Sequence, residues 1–88
     1  MKNKSIRFGP GDLIIHSPAG RPGSRNMYLL LDRFSVPVGN NIPPVNRYFW
    51  HLFDTTRQKR ISMYEKKMRH EVKKNSHEWQ HVKKSQPL

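Results

Sequence analysis

Short apolar runs, each bounded by glycine, proline or polar residues, predict four β-strands in the first two thirds of the chain. The runs cover residues 12–16, 27–36, 47–54 and 58–62. Turns are expected at Gly9-Pro10-Gly11 and at Asp54-Thr55-Thr56. Loops rich in proline and glycine separate the first three runs, at residues 17–25 and 37–44. The pattern is typical of a small, mainly β domain.

Alternation within the second and third runs assigns their side chains to two faces of a sheet. In the second run, one face carries Met27, Leu29 and Leu31, and the other carries Tyr28, Leu30, Asp32 and Phe34. In the third run, Phe49, His51 and Phe53 share one face, and Tyr48, Trp50 and Leu52 share the other. Because both faces of the second run carry apolar residues, we expect that strand to be at least partly covered on both sides.

A helix is predicted from Ser62 to about Lys74. Ser62 and Glu65 have the spacing of a capping box, and Glu65 with Arg69 forms an i,i+4 pair in the favourable order. A narrow apolar stripe consists of Tyr64, Met68 and Val72. The other faces of this helix are basic. Residues 78–82 fit either a closing strand or a second short helix.

The charge of the chain is strongly unbalanced, with 17 Lys and Arg against six Asp and Glu, a formal net charge of +11 in 88 residues. Residues 57–88 hold +7 of this excess, and residues 1–56 hold +4. A small fold tolerates such self-repulsion best when a polyanion or an acidic surface neutralises it. The expected partner is therefore DNA, RNA or an acidic protein surface.

Composition excludes several other classes of protein. The chain has no cysteine, which removes disulfides, thiolate metal sites and thiol nucleophiles. No apolar run approaches the ~18 residues that span a bilayer, and residues 1–8 lack the apolar region of a signal peptide. We expect one cytoplasmic domain over residues 9–82, between a flexible basic arm (1–8) and a flexible tail (83–88). A core of about a dozen side chains fits this length, but a deep enzyme pocket beside it does not.

Four sequence blocks carry a resemblance to a known family. They are Pro10-Gly11-Asp12-Leu13-Ile14, Tyr28-Leu29-Leu30-Leu31-Asp32, Trp50-His51-Leu52-Phe53-Asp54 and Arg60-Ile61-Ser62-Met63-Tyr64-Glu65. Residues 9–68 thereby resemble the small SH3-like (KOW-like) β-barrel proteins of tailed phages. The resemblance implies a partly open barrel of four or five strands with one basic C-terminal helix, located in the host cytoplasm or the virion. Members of this family bind nucleic acid, bind proteins or serve as structural components.

One catalytic motif is present in the sequence. His77-Glu78-Trp79-Gln80-His81 matches H-E-x-x-H, which on a helix places two zinc ligands on one face beside a general base. A catalytic zinc needs a third protein ligand, and none of the seven residues after His81 is His, Asp, Glu or Cys. We therefore predict no enzymatic activity and no cofactor, with His77 and His81 as weak metal-binding candidates only.

Other polar residues fit structural roles. Asp12, Asp32 and Asp54 lie at strand ends or turns, where capping and pairing with Arg33, Arg47 or Arg57 are expected. His51 is predicted to be a hydrogen-bonded histidine at the core or its rim, and His16 a solvated strand end.

The predicted function is therefore non-enzymatic binding of a nucleic-acid backbone. The candidate phosphate contacts are Arg21, Arg25, Arg57, Lys59, Arg60, Lys66, Lys67, Arg69, Lys73 and Lys74. Tyr48, Trp50 or Trp79 would stack on bases if exposed, and Trp50 is the preferred candidate. One alternative is a phage-type structural or interaction protein with an acidic partner. Another alternative is that the cations bind no partner and form a solvated face, while the aromatic residues form the core. The sequence fixes no oligomeric state.

Overall fold

The described residues form five antiparallel strands in one open sheet and a single helix. The structure is a computed structural model that describes residues 6–21, 23–40 and 42–84. The elements are β1 (Leu13–His16), β2 (Asn26–Val38), β3 (Val45–Asp54), β4 (Lys59–Tyr64), α1 (Glu65–Lys74) and β5 (Trp79–Val82). The strand order is β4-β3-β2-β1-β5, so the last strand, β5, pairs with the first strand, β1. The predicted mainly β class with one helix is confirmed.

Several element boundaries differ from the sequence prediction, and two of the differences matter most. Ser62 and Met63 belong to β4, and α1 begins at Glu65 without a side-chain cap, so the predicted capping box is wrong. Ser62 pairs with His51 across β3, and these ladder bonds replace the cap. The predicted loop at 37–44 is shorter than expected, because Pro37 and Val38 extend β2 opposite the start of β3.

A β-bulge at Leu31 changes which residues of β2 share a face. Leu30 pairs with Leu52 and Asp32 pairs with His51, so Leu31 is the extra residue. Beyond the bulge the alternation is reversed. Arg33 consequently lies opposite Trp50, and the prediction that Asp32 and Phe34 share a face with Leu30 is wrong.

The helix covers one face of the sheet, which we call the core face. Met68 of α1 is fully buried there, and the core consists of Ile14, Tyr28, Leu30, Trp50, Leu52 and Met68. Val72 packs against this cluster, whereas Tyr64 ends β4 and pairs with Phe49 on the opposite, outer face. Met68 and Val72 of the predicted stripe therefore lie in α1, and Tyr64 does not. Among the described residues, no helix has the length and apolar character needed to cross a membrane.

Buried Asp12 connects the two ends of the described chain. Its carboxylate accepts bonds from the backbone N–H groups of Gly9 (2.9 Å) and Lys84 (3.0 Å) and lies 2.8 Å from Nε2 of His81. Gly11 has φ +89°, a left-handed conformation that favours glycine, and a Cβ there would displace the flexible Lys84 side chain. Phe8 packs edge-on against His81. Phe8 belongs to the predicted flexible arm (1–8), so part of that arm contacts the domain. The rest of the predicted arm (1–5) and tail (85–88) lies outside the described residues.

Candidate nucleic-acid interface

The candidate site is organised around Glu65, the first residue of α1. Glu65 is 7% exposed, and its hydrogen-bond donors among the described residues are all side chains. Nε and Nη2 of Arg33 donate to its two oxygens at 2.8 and 3.1 Å, in a bidentate pair. Nε1 of Trp50 donates at 2.8 Å, and Nη2 of Arg69 donates at 3.2 Å. One carboxylate therefore holds groups from β2, β3 and α1.

These donors determine the ionisation of Glu65. Burial disfavours the charged carboxylate, but the hydrogen bonds from Arg33 and Trp50, with the charges of Arg33 and Arg69, outweigh burial and lower the pKa of Glu65. Glu65 is therefore ionised at neutral pH, and it fixes the two guanidinium groups in place. The predicted i,i+4 pair of Glu65 with Arg69 is confirmed.

The bulge in β2 places Arg33 opposite Trp50 and also within contact distance of Tyr48. Since Arg33 lies on the core face, its guanidinium reaches Glu65 and also lies 3.9 Å from the centre of the Tyr48 ring. A cation at this distance is attracted to the face of the ring. Glu65 thus fixes Arg33, and Arg33 in turn supports Tyr48.

A surface groove opens beside this network, and we call it the helix-start groove. It has a volume of about 250 Å³ and is lined by Asn46, Arg47, Tyr48, Tyr64, Glu65, Lys66 and Arg69. The guanidinium of Arg47 lies 5.9 Å from the centre of the Tyr64 ring. A second hollow of about 250 Å³, lined by Arg7, Phe8, Arg33, Glu65 and Arg69, adjoins it at Glu65 and Arg69. Five cationic side chains therefore surround one buried carboxylate.

This arrangement suits recognition of an anion beside an aromatic group. The side chains of Arg33 and Arg69 are 47% and 40% exposed, so part of each side chain is open to solvent. Planar guanidinium groups bind phosphate oxygens with directional hydrogen bonds. Tyr48 is 40% exposed and offers ring surface to the same groove.

The predicted phosphate contacts divide into separate groups in the structure. Lys66 and Arg69 line the helix-start groove, and Lys67, Lys73 and Lys74 are exposed on α1. Arg60 pairs with Phe53 on the outer face. The remaining four form what we call the turn end: Arg21, Arg25, Arg57 and Lys59.

The turn end and the groove lie at opposite ends of β4. The hydroxyl of Thr56 donates to the backbone oxygen of Arg25 at 3.4 Å, which brings the first loop to the turn between β3 and β4. Lys59 begins β4 and Tyr64 ends it, and six strand residues span about 20 Å. The candidate cations therefore do not form one cluster.

The expectation that Trp50 stacks on bases is wrong. The Trp50 ring is 2% exposed, and its N–H is bonded to Glu65. Trp79 is half-buried, with the His16 ring stacked on it at 4.0 Å, so His16 is not a solvated strand end either. Sequence reasoning missed Arg33, Arg47 and Tyr64. The sequence offers a weak signal for two of them, since Arg47 adjoins Tyr48 and Tyr64 precedes Glu65. It offers none for Arg33.

The H-E-x-x-H motif does not lie on a helix. His77 and Glu78 are in a turn, whereas Trp79 to His81 belong to β5. His81 is directed to Asp12, and among the described residues no three His, Asp or Glu side chains form a group able to hold a metal ion. Of the predicted aspartate pairs, Asp54 does contact Arg57 (3.4 Å), whereas Asp32 contacts His51 (3.0 Å).

The outer face of the sheet carries a row of aromatic rings. Phe34 stacks on His51 at 4.2 Å and on Phe49 at 5.5 Å, and Phe49 meets Tyr64 at 5.4 Å. All four rings are half-buried, and no helix of the described chain covers them. We call this set the outer aromatic row. It reaches the helix-start groove at Tyr64, which belongs to both.

Comparison with protein-family models, curated proteins and solved structures found no match to this chain.

Proposed function

We propose that this protein is a non-enzymatic nucleic-acid-binding module that holds the phosphate backbone at the helix-start groove. The observation that carries the proposal is the convergence of Arg47, Lys66 and Arg69 on one groove that also has aromatic walls, with Arg33 in the adjoining hollow. Among the described residues, Arg47 and Lys66 have no acidic partner within ion-pair distance. Their charges are therefore available to neutralise phosphates.

The finer fold assignment is part of this proposal. We assign the domain to the SH3-like barrels, as a partly open member with one basic helix. The strand order β4-β3-β2-β1-β5 and the position of α1 between β4 and β5 support the assignment. The helix joins the two edge strands across the core face, where a closed barrel would pair them directly.

Salt dependence is the first test of phosphate binding. Affinity of the full chain for a generic duplex is measured at about 50 mM and about 200 mM salt. Contacts to about four phosphates give a log–log slope of about −3.6, which is a loss of roughly 150-fold over this interval. Absence of binding at the lower salt concentration, or binding that ignores salt, would contradict the proposal.

Paired variants test whether the groove is the site of these contacts. Arg47→Ala with Lys66→Ala should reduce the magnitude of the slope by about two. Arg21→Ala with Lys59→Ala removes the same charge from the turn end and is the matched control. We expect the control to change the slope by less than one. An equal change in both double variants would show diffuse attraction and refute the assignment to the groove.

A second candidate function, docking of a protein partner, rests on the outer face. That face carries half-buried apolar side chains on β1 to β4, and Val36, Val45 and Val82 are 38–50% exposed. Exposed apolar patches of this kind are typical of interaction sites. An interaction protein would bind one purified acidic partner through this face and lose it in Phe49→Ser. It would show no salt-dependent nucleic-acid binding.

A further inference from the structure

We propose that the helix-start groove receives one unpaired nucleotide, with its base against Tyr48 and Tyr64 and its phosphate on Arg47, Lys66 and Arg69. The inference rests on the proposed function and names its substrate class, single-stranded rather than duplex nucleic acid. It follows from three features of the groove: its aromatic walls, its charges and its size.

Two tyrosine rings line the groove from different strands. Tyr48 is in β3, and Tyr64 ends β4. Arg33 covers part of the Tyr48 ring at 3.9 Å and is itself held by Glu65, so this wall is fixed before a ligand arrives. Rings held in place stack on a base with little loss of conformational entropy. Aromatic stacking is also tolerant of sequence, so we expect weak preference among the four bases.

The charges of the groove favour a phosphate beside those rings. Arg47, Lys66 and Arg69 line the same hollow as the two tyrosines. The single acid there, Glu65, has a side chain only 10% exposed, and its oxygens are occupied by Arg33, Trp50 and Arg69. Repulsion of a phosphate by Glu65 is therefore offset by the two guanidinium groups that Glu65 positions.

The size of the groove selects against a paired base. A hollow of about 250 Å³ that opens to solvent has room for one base among its side chains, whereas a duplex presents its bases stacked and paired. A base reaches such a site only after it leaves the stack, and this costs free energy in a duplex but little in a single strand. The duplex can still contact the exposed cations through its phosphates. The groove therefore adds affinity for single strands alone.

The experiment compares a single-stranded oligonucleotide of about 12 residues with the matching duplex, by fluorescence anisotropy at low salt. Tyr48→Leu and Tyr64→Leu remove a stacking ring while leaving an apolar side chain. Each should weaken single-strand binding by about 5- to 150-fold, the usual range for one lost base stack, and leave duplex binding within about 2-fold. Tyr48→Phe and Tyr64→Phe keep the ring and should bind like the parent chain.

Phe34→Leu serves as the matched control, because it removes a ring from the outer aromatic row, outside the groove. It should leave single-strand affinity unchanged, and urea unfolding confirms that each variant is folded. This inference would be overturned if the chain bound the single strand and the duplex with equal affinity and if Tyr48→Leu and Tyr64→Leu left binding unchanged. Salt-dependent duplex binding would then still support the proposed function. A chain that binds neither probe at low salt overturns both.

Discussion

Each end of β4 has a buried acid surrounded by cations, yet the two ends are built differently. At the turn end, Asp54 is fully buried and accepts the backbone N–H groups of Thr56 (3.0 Å) and Arg57 (3.1 Å). At the groove end, the described donors to Glu65 are all side chains, from β2, β3 and α1. Asp54 therefore shapes its own turn, whereas Glu65 gathers distant side chains into one place.

Similar local charge therefore gives different surroundings for the cations at the two ends. The Arg57 side chain is 62% exposed and its guanidinium lies 3.4 Å from Asp54, and no aromatic ring of the described residues forms a cation–π contact with it. Arg33 is fixed by two bonds to Glu65 and lies on Tyr48. A cation that is oriented against a ring can recognise a nucleotide, while a solvated cation contributes mainly long-range attraction.

The largest expected effect comes from neutralising each acid with its amide. In Glu65→Gln, one oxygen becomes an NH₂ group that faces guanidinium donors, so we expect a loss of about 2 kcal/mol in the free energy of unfolding. In Asp54→Asn, the remaining oxygen can still accept both backbone N–H groups, because both donate to Oδ1. Its loss should be about 1 kcal/mol or less. Urea unfolding measures both, and a larger loss in Asp54→Asn would reverse the comparison.

Lowering the pH should reduce the free energy of unfolding, because it protonates Glu65 at the groove end. Burial opposes ionisation of Glu65, but its donors lower its pKa below the ordinary value. Asp12 behaves alike, since bonds from Lys84, His81 and Gly9 outweigh burial and lower its pKa. A carboxyl with a lowered folded-state pKa contributes stability that is present above its unfolded pKa and is lost as pH falls through its folded pKa.

The pH experiment measures the urea midpoint from neutral pH to below about pH 4, the ordinary carboxyl range. The midpoint should fall with acidification in the parent chain. Glu65→Gln removes one titrating group, so its midpoint should fall less steeply. An equally steep fall in both proteins would show that Glu65 is not stabilised in its charged form.

Arg33→Lys tests the orientation of a cation separately from its charge. Lysine keeps the charge but loses the bidentate pair with Glu65 and the planar contact with Tyr48. We expect single-strand affinity to fall by about 5-fold, the equivalent of about 1 kcal/mol, with little change for duplex. Unchanged single-strand affinity would mean that Arg33 does not prepare the Tyr48 wall.

Arg57→Ala should have the smallest effect. Its charge is exposed and forms one long contact with Asp54, so its contribution to stability is at most about 0.5 kcal/mol. Affinity for single strand and duplex should fall together and by about 2-fold. A selective loss of single-strand binding would contradict the groove assignment and indicate that the single strand binds at the turn end.

Local patterns predicted the elements better than the site. Alternation located the strands, and i,i+4 spacing predicted the pair of Glu65 with Arg69, because both depend on neighbours in the sequence. The bulge at Leu31 has no glycine or other local marker, and it reverses the face on which Arg33 lies. Arg33 and Glu65 are 32 residues apart, so their contact exists only after the sheet has formed.

Trp50 and Ser62 illustrate how tertiary contacts override local signals. An indole beside basic residues fits a stacking surface, but its position opposite Met63 under α1 buries it. Ser62 has the spacing of a cap, yet pairing with β3 keeps it in β4. In both cases strand pairing decided the outcome, and the same pairing made Tyr64 the residue shared by the groove and the outer aromatic row.

The most direct test of the groove is a map of backbone amide NMR shifts during titration with the single-stranded oligonucleotide. The account predicts that the largest changes cluster at residues 46–48 and 64–69, with small changes at residues 55–59. Changes concentrated at 21–25 and 55–59, or spread evenly over all exposed cations, would contradict it.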